Sequence, residues 1–388
     1  SSSNSQAVNV PKLRFPGFEG EWNKGKMESV ACYNKKRITV EKNKFVSTEN
    51  MQQNCAGIEP YNDTTAVEGV KFSENDILIA NIRPYLRKAW KAEFNGACST
   101  DVLSITPTEI NSDFLFHCIE KEDFFNYVMS AAKGSKMPRG DKQHIMEYTI
   151  YFPSEVEQKK VSAFIELLSK RIAKQRKLIN AIKLYKRGVL SFFERQFSQA
   201  LTFEPIGKYF SVQGGFAFKS NLFNDTGIPI IRISDINNGV ASSGEAVCYP
   251  TDELIEKRFI INNGDFLIAM SGATTGKTGT YISEEIAYLN QRVGKFVEIT
   301  AEISVEYLSH MVLSNSYTES LNSLLIAGAQ PNISPTDIET IKIPVYDGTV
   351  RNSITKALSK MEKLIQKEEL LYNMLMSLKT ALLQQMFI

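Results

Sequence analysis

The chain has 388 residues, room for two or three domains, and its 43% hydrophobic and 23% charged content is that of a folded globular protein. A wholly disordered chain is excluded, and with no apolar run near the ~18–20 residues that cross a bilayer, so is a helical membrane protein. Forty-five Lys and Arg against 43 Asp and Glu leave a formal charge of +2, which by itself gives no basic footprint for nucleic acid.

The first ten residues, Ser1 to Val10, are polar and lack the apolar core of a secretory leader. Cys32, Cys55, Cys98, Cys118 and Cys248 are scattered, odd in number and without a CxxC pair, the usage expected of reduced thiols in a cytoplasmic protein. His117, His144 and His310 lie far in sequence from any cysteine that would complete a zinc site, so no metal is expected.

In chain order, residues 1–153 read as a first globular domain, 154–199 as a long helix, 200–348 as a second domain and 349–388 as a second long helix. Short β-branched or aromatic runs bounded by turn residues predict strands at Asp76–Ala80, Val102–Thr106, Tyr148–Phe152, Ile228–Ile233, Phe266–Ala269 and Val293–Ile299. Helical patches are predicted at Ser112–Ala132 and Ser304–Ile326.

The order repeats because the chain is written twice. Glu74-Asn-Asp-Ile-Leu-Ile-Ala80 returns as Asn263-Gly-Asp-Phe-Leu-Ile-Ala269, and Ile150-Tyr-Phe-Pro153 returns as Ile341-Lys-Ile-Pro344. The long helices carry matching heptad seams. Val161, Ile165, Leu168, Ile172 and Ile182 correspond to Ile354, Leu358, Met361, Ile365 and Leu375, Ile179 and Leu382 continue the same rows opposite Tyr372 and Val189, and a polar break falls at the same heptad, Gln175 and Glu368. Helices this long serve as struts. The expected fold is α+β: two mixed α/β domains separated by two long helices that pair as an antiparallel coiled coil, with an internal duplication.

Pro11-Lys-Leu-Arg-Phe-Pro-Gly-Phe-Glu-Gly-Glu-Trp22 resembles the start of type I restriction–modification specificity subunits. So do the stretch from Gly264 to Gly279, Asn290-Gln-Arg-Val-Gly294, the run from Leu378 to Phe387, and the Pro153 to Val161 lead-in with its Glu157-Gln158 pair. The likeness covers nearly the whole chain. It departs at the second lead-in, Pro344 to Ile354, which is two residues longer and lacks the Glu-Gln pair. The resemblance implies two target recognition domains, each reading half of a bipartite site in double-stranded DNA, and helices that set the spacer and dock two modification (methyltransferase) subunits. Those subunits would carry S-adenosylmethionine, and restriction (translocase and nuclease) subunits would add ATP- and Mg-dependent chemistry. This chain would bind no cofactor itself.

Candidate DNA contacts follow from residue chemistry on loops: Arg suits guanine, Asn and Gln suit adenine, and Lys and hydroxyls suit phosphate. After the Asp-x-Leu-Ile-Ala strand of the first half come Arg83, Tyr85, Arg87 and Lys88; before its last strand come Ser135, Lys136, Arg139 and Lys142. The second half offers Ser271, Thr274, Thr275, Lys277 and Thr278 in the first of these places and Gln330 and Asn332 in the second. Arg232 and Asn237, with Asn290, Gln291 and Arg292, complete the set.

Gly272-Ala-Thr-Thr-Gly-Lys-Thr278 looks like a phosphate-binding loop, but the first glycine that loop needs is replaced by Ser271, and a strand is expected to follow instead of a helix. No methyltransferase or nuclease signature is present, so the chain reads as non-catalytic. A nucleotide-dependent DNA-processing enzyme and a coiled-coil scaffold without a DNA role remain the rival readings. Charge by segment also matters: 0 over residues 1–154, +7 over 155–187, 0 over 188–199, −8 over 200–348 and +3 over 349–388. The near-neutral total thus conceals two basic helices and an acidic second domain, a balance that suits binding with partners better than a tight grip alone.

Overall fold

The computed structural model describes residues 9–134, 136–197, 201–237, 239–244, 246–251, 255–327 and 332–388. The chain forms two compact units, Ser1–Lys177 with Leu370–Ile388, and Leu178–Glu369.

The first unit holds strands β1 Asn23–Lys26, β2 Ala31–Tyr33, β3 Arg37–Glu41, β4 Phe45–Val46 and β5 Ala66–Phe72. These are followed by β6 Ile77–Ala80, β7 Ala89–Lys91, β8 Gly96–Cys98 and β9 Val102–Pro107, then helices α1 Ser112–Glu120, α2 Glu122–Ser130 and α3 Lys142–Met146, and β10 Thr149–Phe152. One sheet has the order β2-β9-β6-β7 and a second the order β3-β5-β8-β4, while β1 pairs with β10. Strand β6 explains the layering. Side chains alternate faces along a strand, so Ile77 and Ile79 join the core under the helices, while Leu78 and Ala80 join the core of the second sheet. A strand covered on both faces has no place for a polar residue, hence the unbroken Ile-Leu-Ile-Ala run.

Helix α4, Glu155–Gln196, begins in this unit, and helix α8, Gly348–Met386, ends in it. Val161 and Ile165 share one core with Leu383, Met386 and Phe387. The Phe387 ring lies 5.0 Å from that of Phe114. The Glu-Gln lead-in has a physical job. Glu157 takes both Arg14 Nε and Nη2, and Gln158 ties the Pro153 carbonyl to the Asn111 N–H, locking the helix start onto the domain.

The second unit repeats the plan. Its strands are β11 Leu201–Pro205, β12 Phe210–Gly214, β13 Ile228–Ile231, β14 Ile236–Asn237, β15 Gly239–Ala241, β16 Cys248–Tyr249 and β17 Ile260–Ile261. Strands β18 Phe266–Ala269, β19 Thr278–Tyr281, β20 Ala287–Leu289 and β21 Val293–Glu298 follow. Helices α5 Val305–Met311, α6 Asn315–Ala327 and α7 Pro335–Thr340 then lead to β22 Lys342–Tyr346, which pairs with β11. The order β12-β21-β18-β19 matches β2-β9-β6-β7, and β17-β20-β13 matches β5-β8-β4 in both order and direction. Differences sit at the margins: β3 borders β5 in the first unit, β16 borders β13 in the second, and a β14–β15 ribbon extends the second unit's main sheet beyond β19. Strand β18 alternates as β6 does, with Phe266 and Ile268 facing the helical core and Leu267 and Ala269 the other.

In this unit α4 and α8 run antiparallel, since Lys183 pairs with Glu369 at 2.6 Å and Lys186 with Glu362 at 2.5 Å. Asp347 caps α8 by accepting the Thr349 and Val350 N–H groups, which supplies the helix start that the missing Glu-Gln pair provides in the first unit. All twelve expected seam residues are buried or half-buried, and Gln175 is buried among them. Each expected helical patch is broken once: at Lys121, whose extended backbone separates α1 from α2, and between α5 and α6. No described helix is long and apolar enough to cross a membrane.

Candidate nucleic-acid interface

In the first unit three loops meet beyond the end of β6. The loop after β6 is bound to the loop before α3 by the bridge Ile82–Arg139 and by hydrogen bonds from Arg83 N–H to the Pro138 carbonyl and from Gly140 N–H to the Asn81 carbonyl. The turn before β9 joins them through the Asn81 N–H and the Asp101 carbonyl. Glycine is required at 140 because a Cβ there would stand 2.9 Å from Asn81 Oδ1 and from Val128 Cγ1.

The second unit brings the same three loops together after β18. Ser271 bridges Asn332, Ile333 N–H reaches the Met270 carbonyl, and Met270 N–H reaches the Arg292 carbonyl. A fourth segment joins here, since Thr274 Oγ1 donates to the Ile233 carbonyl and Asn290 N–H to the Ile231 carbonyl. The same backbone scaffold therefore carries different side chains in the two units.

The candidate side chains are not equivalent within this scaffold. Arg83, Tyr85, Lys136, Arg139 and Lys142 are exposed on the first surface. Arg87 is half-buried, gives Nη2 to the Glu120 carbonyl and lies over the Phe125 ring, while Lys88 gives Nζ to the Thr48 carbonyl. Those two cations hold the loop down with the donors that DNA would otherwise use. Arg83 and Arg87 both have left-handed backbone, with φ of 51° and 50°.

On the second surface Lys277, Gln291, Arg292, Asn237 and Asn332 are exposed. Asn237 also donates to the Ser234 carbonyl, and Arg232 is turned onto Asp235. Thr274 and Thr275 spend their hydroxyls on loop carbonyls, Thr278 sits in β19, and Asn290 Oδ1 accepts the Arg292 N–H. Ser271 Oγ is buried without a hydrogen-bond partner among the described residues. Ser135 and Gln330 lie outside the described residues. Asp101 is a member of the first surface that the sequence reading missed: it sits 2.9 Å from Arg139 Nη1. Its position just before the strand equivalent to Val293–Glu298, where Arg292 stands in the second copy, was the available signal.

The loop from Gly272 folds into a short 3-10 turn and then strand β19, so no helix start faces it as a phosphate site requires. All five cysteines are free, and among the described residues no group of three or more His, Cys, Asp or Glu converges to hold a metal ion.

Two surfaces of loops on a duplicated α/β scaffold, joined to long paired helices, define a modular recognition protein. The chain belongs to the type I restriction modification DNA specificity domain family, whose model matches it twice, at residues 19–184 and 203–376. It is a DNA-recognition component of that class and not an enzyme. It is 23% identical over 316 residues to the type I restriction enzyme MjaVIII specificity subunit of Methanocaldococcus jannaschii, covering 76% of this chain and 74% of that one. The EcoAI specificity subunit of Escherichia coli is 28% identical over 210 residues, which are 51% of this chain and 35% of that protein. The fold is that of the type I restriction–modification S subunit from M. genitalium, with a TM-score of 0.56, 13% identity and coverage of 98% of this chain and 99% of that one.

Proposed function

We propose that the chain reads a bipartite site in double-stranded DNA, one half-site through each three-loop surface, and holds two modification subunits and the restriction subunits along its long helices. The observation that carries this reading is the repeated meeting of three loops at equivalent strand ends, with the bridge Ile82–Arg139 in one unit and Ser271–Asn332 in the other. Of the exposed candidate residues, Arg83, Lys136, Arg139, Lys142, Lys277, Gln291, Arg292 and Asn332 would make most of the contacts. Large apolar side chains left exposed on α4, among them Leu184, Tyr185 and Phe192, support a docking role for the helices. S-adenosylmethionine, ATP and Mg would be bound by the partners.

The test is methylation profiling of DNA from cells that express the chain with modification partners. A single split target is expected, and exchange of residues 200–344 for another such domain should change one half of it. A target that is continuous, or that changes in both halves, would overturn the reading.

A further inference from the structure

We infer that Arg139 contacts a guanine edge in the half-site read by the first unit, and that Asp101 is the positioning residue that sets its guanidinium for that contact. The inference rests on the proposal that this surface faces DNA.

Arg139 is held at both ends. Its backbone is bridged to Lys133 on one side and Ile82 on the other, so its Cα is fixed relative to β6 and the loop before α3. At the far end Nη1 lies 2.9 Å from Asp101 Oδ1, and the Asp101 carbonyl accepts the Asn81 N–H. The Arg139 side chain nonetheless stays 57% exposed, and its Nε and Nη2 have no partner among the described residues. An arginine with one nitrogen anchored and the Nε–Nη2 edge open presents two parallel N–H donors, the pattern that guanine O6 and N7 accept in the major groove.

The carboxylate also selects the kind of acceptor. Asp101 offsets the positive charge and repels an anionic phosphate brought to the same place, whereas a neutral base edge meets no such repulsion. Arginine that only tracks the backbone gains nothing from an acid beside it. In the second unit the equivalent positions hold Asn332 and Arg292, so the acid–arginine arrangement is not repeated, as two different half-sites would require.

The experiment first defines the target of the complex reconstituted with its modification partners. Binding of Arg139→Ala, Arg139→Lys, Asp101→Asn and unaltered complexes is then measured on duplexes that differ from the target by one base pair, across a salt series. Both Arg139 variants should lose roughly ten- to a hundredfold discrimination at a single G·C pair of one half-site and keep it elsewhere. Asp101→Asn should relax the same pair less, while the slope with salt is unchanged. Arg139→Lys keeps the charge and removes the fork, so it separates base reading from charge, and its thermal melting checks the fold. Uniform weakening on every duplex with a shallower salt slope for Arg139→Ala would make Arg139 a phosphate contact and overturn the inference. So would wild-type behaviour of Arg139→Lys, and unaltered discrimination in Asp101→Asn would remove the positioning role. An unaltered complex without any sequence preference would instead sink the underlying DNA-reading proposal.

Discussion

Lys379 Nζ lies 2.5 Å from Glu120 Oε1 in the first unit, with both side chains largely removed from water, and His117 Nδ1 lies 3.3 Å from the other carboxylate oxygen. Burial alone would push the Glu120 carboxyl up; the His117 hydrogen bond and the Lys379 charge outweigh it and hold the group below the usual carboxylate range. Lys379→Met leaves that carboxylate buried without its cation and is expected to cost roughly 3–5 kcal/mol, while adding Glu120→Gln should recover much of it. Trp22 and Trp90, the only tryptophans, both sit in the first unit, so tryptophan fluorescence in urea reads this loss directly. An unchanged midpoint for Lys379→Met would mean that the pair is not needed for stability.

At the equivalent place in the second unit His310 Nε2 meets Ser359 Oγ at 2.9 Å, and Lys186 is the nearby cation. Burial, with Lys186 adding to it, lowers the His310 imidazole to about 3. The unfolded chain therefore takes up this proton before the folded one does. The neutral imidazole contributes stability that is complete above about pH 6.5 and declines as pH falls towards about 3, amounting to a few kcal/mol at most. Hydrogen exchange of α5 amides should show this acid sensitivity, and His310→Gln should flatten it between about pH 6 and 4. An equally steep acid limb in that variant would assign the effect to other groups.

A heptad inserted into both α4 and α8 preserves the seam and lengthens each helix by about 10 Å. The spacer between half-sites should then grow by about three base pairs, since duplex DNA rises about 3.4 Å per pair, with both half-sites unchanged. Methylation profiling reads both. A constant spacer would show that the helices do not set it.

Lys277→Ala should weaken DNA binding about equally on all sequences and flatten the salt dependence, as loss of one phosphate contact does. Calorimetry with ATP and Mg should give no heat of binding to the unaltered chain. Stoichiometric binding that disappears in Lys277→Ala would return the Gly272–Thr278 loop to the nucleotide reading.

The duplicated core was legible because buried strands and paired helices leave periodic traces. The Ile77–Ala80 and Phe266–Ala269 runs mark a strand covered on both faces, and Val161 or Ile354 recurs at heptad spacing. The marginal strands were not: β4, β14, β16 and β17 are two residues each, too short to show a period, and β4, β16 and β17 take their pairing from neighbours distant in sequence. Within the loops, residue type indicated cations but not where their donors go. Arg87 and Lys88 look the same as Arg83 in sequence, yet Arg87 gives Nη2 to the Glu120 carbonyl and Lys88 gives Nζ to the Thr48 carbonyl. Asp101 escaped notice for the converse reason: an acid suggests no DNA contact until Arg139 is seen beside it.

Arg83 stands exposed with its backbone left-handed, a conformation that costs a residue bearing a Cβ roughly 1–2 kcal/mol and glycine almost nothing. Folding alone would favour glycine there. The loop thus trades thermal robustness for a guanidinium at its tip, and Arg83→Gly should yield a first unit that melts no earlier but holds its half-site less well.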